Sequence, residues 1–170
     1  MNLYLLRHGQ TDWNVAHRII GRTDVELNEL GITQAKNARE ELKNLQFDIC
    51  FTSPLKRART TADIVCEGRC RIVEDDLLKE RAMGIKEGRI FDPAEPFIEH
   101  ESIETDEHIL ARAQDFLDKM RKSGYENVLV VSHSGLLKHI RHLIIHDAST
   151  PVDYNEWRPG NCECTKFEIN

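Results

Sequence analysis

Arg7 and His8 close a short apolar run, Leu3-Tyr4-Leu5-Leu6, and Gly9 follows them. An arginine and a histidine carried together to the tip of a buried strand suit phosphate chemistry. The guanidinium offers oxyanions a fixed fork of N–H donors, and a neutral imidazole is a nucleophile toward phosphorus. Later segments hold matching parts. Arg57, in Thr52-Ser53-Pro54-Leu55-Lys56-Arg57-Ala58, lies one turn into an expected helix, and a helix N-terminus itself attracts anions. His133, in His133-Ser134-Gly135, follows the apolar run Val128 to Val131 and is placed to donate to a phosphate oxygen. Taken singly, an arginine on a helix is usually a solvated charge, and a histidine after a strand is usually a hydrogen-bonded loop residue. Their coincidence at strand ends points to a site.

Such residues need a scaffold, and the hydrophobic pattern describes one. Residues 2–7 read as a buried strand. Residues 31–45 read as a helix with Ala35, Ala38, Leu42 and Leu45 on one face. Asp48 to Thr52 is a second strand. Ser53 and Pro54 then open a helix as N-cap and first turn, running to about Glu67. Residues 71–74 form a short strand, and the stretch from Leu77 to Thr105 is polar with little periodicity. A helix over 106–123 turns Ile109, Ala113, Phe116, Leu117 and Met120 inward, and Gly124 ends it. Val128 to Ser132 is apolar almost throughout, as in the middle of a parallel sheet. A helix over 135–146 and a strand from Glu163 to Ile169 complete the chain. This alternation predicts an α/β fold, a three-layer α/β/α sandwich with a mostly parallel central sheet. Ligands in such sheets bind beyond the carboxyl ends of the strands, and His8, Ser53 and His133 stand just past three of them.

Composition narrows the function. The 170 residues suit one domain with one sizeable core. A net charge of −6 opposes general binding to nucleic acid or to anionic membranes. No apolar run approaches the ~20 residues that span a bilayer, and the N-terminus lacks the basic stretch of a signal peptide. Five cysteines at irregular spacing fit reduced thiols in a cytoplasmic protein. The spacings Cys66 to Cys70 and Cys162 to Cys164 are not those of paired zinc ligands. His139, His142 and His146 share one face of the last helix; beside Lys138 and Arg141 they read as half-exposed surface residues rather than a metal site. No cofactor and no metal are expected.

The stretches RHGQTDWN (7–14), GRTDVELNELG (21–31), TSPLKRARTTA (52–62), LLKERAMG (77–84), VVSHSG (130–135) and NCECTKFE (161–168) occur in an order that resembles the histidine phosphatase superfamily, in its phosphoglycerate mutase-like branch. The resemblance implies one histidine phosphatase domain over 1–170, with a short cap-like insertion at about 85–105. It implies that His8 becomes a phosphohistidine while Arg7, Arg57 and His133 bind the phosphoryl group. Asn14 and the backbone from Gly21 to Thr23 would border the pocket, and Ser134 would add a contact. Glu80 matches the family's proton donor, acting first as general acid and then as general base. The site departs from the family at Gln10, where Glu is frequent, and at Ala82-Met83, where mutases carry His-Tyr.

The implied reaction is hydrolysis of a small-molecule phosphate ester through His8. The segment Ile90 to Ala111 holds no Lys or Arg but contains Asp92, Glu95, Glu99, Glu101, Glu104, Asp106 and Glu107. Such a cap is expected to repel doubly phosphorylated, carboxylated ligands, which favours a phosphatase of a small neutral or weakly charged ester over a phosphoglycerate mutase; the stretch Gly21-Arg22-Thr23-Asp24-Val25 resembles that of α-ribazole phosphatases. A protein phosphohistidine phosphatase breaks a P–N bond and needs an acid less than this Glu80-bearing site implies. A noncatalytic phosphate-binding domain would be expected to lack His8, Arg57 or Glu80. The sequence leaves the oligomeric state open.

Overall fold

A computed structural model describes residues 1–95, 100–146 and 149–170. Strands β1 (Asn2–Arg7), β2 (Ile49–Thr52), β3 (Arg71–Glu74), β4 (Asn127–Ser132) and β5 (Cys164–Glu168) form one sheet in the order β3-β2-β4-β1-β5. The pairs β1–β4, β2–β4 and β2–β3 are parallel, and β5 runs antiparallel to β1. The side-chain period of two sends alternate residues to opposite faces, and each face has its own core. Leu3, Leu5, Ile49, Phe51, Val128 and Val130 pack with helices α4 (Asp106–Arg121) and α5 (Ser134–Ile145). Leu6, Cys50, Leu129 and Val131 pack with α2 (Glu29–Glu41) and α3 (Lys56–Cys66). Burying each large aliphatic side chain is worth roughly 1.5–3 kcal/mol, so unbroken apolar runs belong in these doubly covered strands. The expected three-layer sandwich is the observed one.

The register aligns the strand ends that matter. Arg7 stands opposite Ser132, and Thr52 opposite Val131. The chain therefore leaves β1, β2 and β4 at neighbouring points on one edge, delivering His8, Ser53 and His133 together.

Several boundaries differ from the sequence reading. Helix α2 starts earlier, where the Asn28 side chain accepts a 2.8 Å bond from Gly31 N–H. It ends before Leu45, which is 36% exposed and off the packed face. Helix α3 starts at Lys56, after an N-cap Leu55 with no side-chain cap. Ser53 is not its cap, for a reason given below. A four-residue helix α1 (Asp12–Val15) is closed by a Thr11–Asn14 capping box. Between β3 and α4 lie two short 3₁₀ turns, Asp76–Leu78 and Gly84–Lys86. The chain then pairs with residues 17–20, through Gly88 N–H to Ile19 O and Ile19 N–H to Arg89 O at 2.8 Å each, and Phe91 N–H to His17 O at 2.7 Å. Residues 96–99 of the expected cap, Glu99 among them, lie outside the described residues. Among the described residues no helix is long and apolar enough to cross a membrane.

Candidate active site

His8 leaves the buried end of β1 with its ring almost wholly enclosed. Its Nδ1 lies 2.7 Å from the carbonyl oxygen of Gly9. A carbonyl only accepts, so Nδ1 carries the proton and Nε2 keeps its lone pair. Burial, then the charges of Arg57 and Arg7, hold the imidazolium well below its ordinary pKa, against the opposing pull of the Gly9 carbonyl. The result is a neutral imidazole with a fixed tautomer. Gly9 must be glycine here because a Cβ would fall 2.5 Å from the Gly31 carbonyl oxygen.

Cationic donors flank this ring. Arg57 is buried in α3, its two terminal nitrogens donating to Gly21 O at 2.8 Å and Thr23 O at 2.9 Å. Arg7 donates to Pro159 O at 2.9 Å. Burial lowers the pKa of both guanidinium groups, with Glu80 the largest opposing influence in each. In both, Nε is buried without a hydrogen-bond partner. The His133 ring lies 5.2 Å from that of His8, centroid to centroid. Its Nε2 meets the Ser53 hydroxyl at 2.8 Å, and its Nδ1 is a third buried atom without a partner. Ser53 Oγ accepts from Leu55 N–H at 3.3 Å, so its own proton is available to Nε2 and His133 can carry its proton on Nδ1. This engagement diverts Ser53 from capping α3. Burial and then Arg57 push the His133 pKa well down, so this ring too is neutral. Buried polar atoms are nearly always paired, so the unpaired nitrogens on Arg7, Arg57 and His133 leave donor capacity near His8 uncommitted.

Glu80 comes from the segment after the first 3₁₀ turn. Its carboxylate accepts from Arg81 N–H at 2.9 Å, Gly135 N–H at 3.1 Å and Leu136 N–H at 3.2 Å, the last two at the N-terminus of α5. A Cβ on Gly135 would sit 2.4 Å from Glu80 Oε1, so this close seat needs glycine. Arg7, His8, Arg57 and Glu80 line one cavity of about 610 Å³.

The other predicted residues divide, and His133, buried beside His8, is not among the residues lining this cavity. Asn14, Gly21 and Ser134 line the same cavity. Asn14 Oδ1 is spent on the Thr11 N–H and hydroxyl, leaving Nδ2 as its group for a ligand. Thr23 does not line the cavity: its carbonyl holds Arg57, and its hydroxyl donates to Glu87 Oε2 at 2.6 Å. Glu87, which the sequence reading missed, also accepts from Arg22 and Met83 N–H at 3.0 Å each. Burial opposes its ionisation, and these bonds outweigh it to lower the pKa. Glu87 thus fastens the loop whose carbonyls aim Arg57.

The acidic stretch behaves differently from expectation. Glu104 is buried against Arg112, Asp106 pairs with Arg81, and Glu95 pairs with Arg89 at 2.9 Å. Among the described acidic residues of this stretch, Asp92 and Glu95 line the cavity, beside Arg18, Arg81 and Lys86. Arg112, Arg81 and Arg89 thus offset three of the carboxylates of this run. His139 and His142 of α5 are buried rather than half-exposed, and with His146 just past the helix end they have protein partners: His139 Nδ1 meets Gly135 O at 2.8 Å, His142 Nε2 meets Thr150 O at 2.9 Å, and His146 Nε2 meets Glu156 at 3.3 Å. Among the described residues no three His, Cys, Asp or Glu side chains are grouped to hold a metal ion.

Comparison with known proteins places the chain in a family. The family described as the histidine phosphatase superfamily (branch 1) matches residues 3–170. The chain is 39% identical over 139 residues to the uncharacterized phosphatase PhoE of Bacillus subtilis (strain 168), covering 78% of this chain and 72% of that protein. It is 39% identical over 90 residues to the probable phosphoglycerate mutase GpmB of Proteus mirabilis (strain HI4320), covering 52% of this chain but only 42% of that protein. The crystal structure of a putative alpha-ribazole-5'-P phosphatase from Escherichia coli K-12 superposes with a TM-score of 0.87 at 26% identity, over 100% of this chain and 91% of that one. The sandwich fold, the ordered motifs and the matched family agree: the chain is a phosphatase of the histidine phosphatase superfamily, branch 1.

Proposed function

We propose that the protein hydrolyses small phosphate monoesters in two steps through a phosphohistidine on His8. The observation that carries this reading is the His8 ring itself. Its Nδ1–H is committed to Gly9 O at 2.7 Å, which leaves a neutral Nε2 with its lone pair free, in a ring under the influence of Arg57 and Arg7. In the first step Nε2 forms a bond to phosphorus, and the P–O bond to the alcohol breaks. Glu80 supplies the proton that the departing alkoxide needs. In the second step water attacks phosphorus, gives a proton to Glu80, and the P–N bond breaks to release phosphate and His8. The transition state spreads negative charge over the equatorial oxygens, and preorganised donors on Arg7, Arg57 and His133 answer that charge. Asn14 and Ser134 complete the wall around the phosphoryl group.

Relatives whose names carry phosphatase or α-ribazole-5'-P phosphatase support a small phosphate ester as substrate. The matched family extends over residues 3–170, which supports one catalytic domain. Five free cysteines support a reducing, cytoplasmic setting.

The test compares ethyl phosphate with p-nitrophenyl phosphate. His8→Ala is expected to abolish turnover of both, together with acid-labile labelling by ³²P-phosphate ester. Glu80→Gln is expected to slow ethyl phosphate far more than p-nitrophenyl phosphate, because the nitrophenolate leaves without a proton. Equal slowing of both would remove Glu80 from the acid role.

A further inference from the structure

We infer that Glu104 and Arg112 are positioning residues for Glu80, so that a carboxylate of the apparent cap acts on the general acid rather than on the ligand. The inference rests on the acid–base role proposed for Glu80, and it is carried by the bonds that converge on residues 77–82. Arg112, near the inward face of α4, donates from Nη1 to Leu77 O and, at 3.0 Å, to Lys79 O. Its Nε and Nη2 form a two-pronged pair with Glu104 at 2.7 and 2.9 Å. Glu104 Oε2 accepts in turn from Ala82 N–H at 3.2 Å and from Arg22 Nη2 at 3.3 Å. Arg22 Nε donates to the Glu80 carbonyl itself at 3.1 Å. The main chain of Glu104 joins the same clamp, its N–H bonding Ala82 O at 2.9 Å and its carbonyl accepting from Arg81 Nε at 2.7 Å. His108 Nδ1 also meets Glu104 Oε1 at 2.8 Å.

Main-chain groups of residues 77, 79 and 82, on both sides of Glu80, are thus tied to one buried ion pair, and the Glu80 carbonyl is tied to it through Arg22. The Glu104 side chain is 2% exposed and that of Arg112 9%. A surface pair of this kind would be worth little. A desolvated, bidentate pair holds its geometry, and it fixes the backbone that the Glu80 side chain leaves from. Neither residue lines the catalytic cavity.

The signature of such a role is a selective loss. A general acid displaced by a fraction of an ångström fails for poor leaving groups first. Glu104→Gln keeps the shape of the side chain and weakens the clamp. It is expected to lower kcat for ethyl phosphate roughly 10- to 100-fold, with a much smaller effect on p-nitrophenyl phosphate. Added to Glu80→Gln, it is expected to cost nothing further on ethyl phosphate, because the group it positions is already gone. Arg22→Ala, at a half-exposed position, removes the bond to the Glu80 carbonyl without emptying the core. It is expected to show the same selectivity more weakly, and it carries the test alone if Glu104→Gln does not fold. Equal losses on both substrates, or additive losses in the double variant, overturn the inference. A Glu80→Gln enzyme that slows both substrates equally would instead refute the role of Glu80 itself.

Discussion

Gly135→Ala offers a clean perturbation of Glu80 because the fold should tolerate it. The added methyl would sit 2.4 Å from Glu80 Oε1, whereas ordinary contact begins at 3.4 Å. The difference, 3.4 − 2.4, requires the carboxylate to retreat by about 1 Å. The obstacle is the far end of a flexible side chain, so the helix need not move. Alanine also has the better helix propensity by up to ~1 kcal/mol, so thermal stability should hold or rise. Retreat breaks the 3.1 and 3.2 Å bonds from Gly135 and Leu136 N–H. It takes the acid out of line with the leaving oxygen. Misplacement by about 1 Å costs on the order of 100-fold in rate, or about 2.7 kcal/mol of transition-state stabilisation. The assay is steady-state turnover of ethyl and p-nitrophenyl phosphates, with a melting curve on the same preparation. Loss of ethyl phosphate turnover at unchanged or raised melting temperature is the expected result. Undiminished ethyl phosphate turnover would show that Glu80 does not act from this seat.

Three further outcomes follow from the same geometry. Thr23→Val removes the hydroxyl that binds Glu87 at 2.6 Å and loosens the loop aiming Arg57. It should cut kcat/KM about tenfold on ethyl and p-nitrophenyl phosphates alike, because Arg57 serves the phosphoryl group; a loss confined to ethyl phosphate would contradict this. His8 and His133 are both held well below their ordinary pKa by burial and the nearby arginines. The unfolded chain therefore takes up protons that the native site refuses as pH falls below about 6.5, and stability, complete above that pH, declines by up to about 1.4 kcal/mol per pH unit for each ring. Urea unfolding at pH 7 and pH 5 should show a smaller decline in His8→Ala than in the parent, and identical declines would refute it. Because His139, His142 and His146 spend ring nitrogens on protein partners, dialysis against EDTA should leave activity intact; a loss restored by zinc would reverse that reading.

The parts of the molecule legible in its sequence are those in which residue type alone carries the information. Val128 to Val131 had to be buried on both faces, and the observed cores take Val128 and Val130 on one side and Leu129 and Val131 on the other. Arg7, His8, Arg57 and Glu80 share a cavity because strand ends and motif order determine where they emerge. Main-chain partners were not legible. The Gly9 carbonyl that sets the His8 tautomer has no side-chain signature, and the N–H groups seating Glu80 belong to Gly135 and Leu136, far away in sequence. Ser53 read as a helix cap because its local context is that of one, yet a contact across the sheet edge to His133 claims its hydroxyl. Glu104 misled most. A run of acids with no Lys or Arg inside it looks like a repulsive surface, and residue type alone does not show that Arg112, just past its end, folds back onto one of its members.

The electrostatics of the site explain why its two histidines are neutral. Arg7, Arg57, His8 and His133 crowd into one largely buried region. Four cations there would lose hydration that their neighbours do not replace, and each would repel the other three. Arginine does not release its proton within the working range, so the histidines are the groups that yield. Their lowered pKa values leave a cluster of charge near +2, facing the two negative charges of a phosphate monoester dianion. The same adjustment frees the His8 Nε2 lone pair for attack and leaves His133 a neutral donor. Charge complementarity and nucleophilicity are therefore one property of this cluster. Replacing either arginine by a neutral residue should weaken phosphate binding and, by letting His8 hold a proton more readily, move the acid limb of kcat/KM upward in pH. An unmoved acid limb in an Arg57→Gln enzyme would show that burial alone keeps His8 neutral.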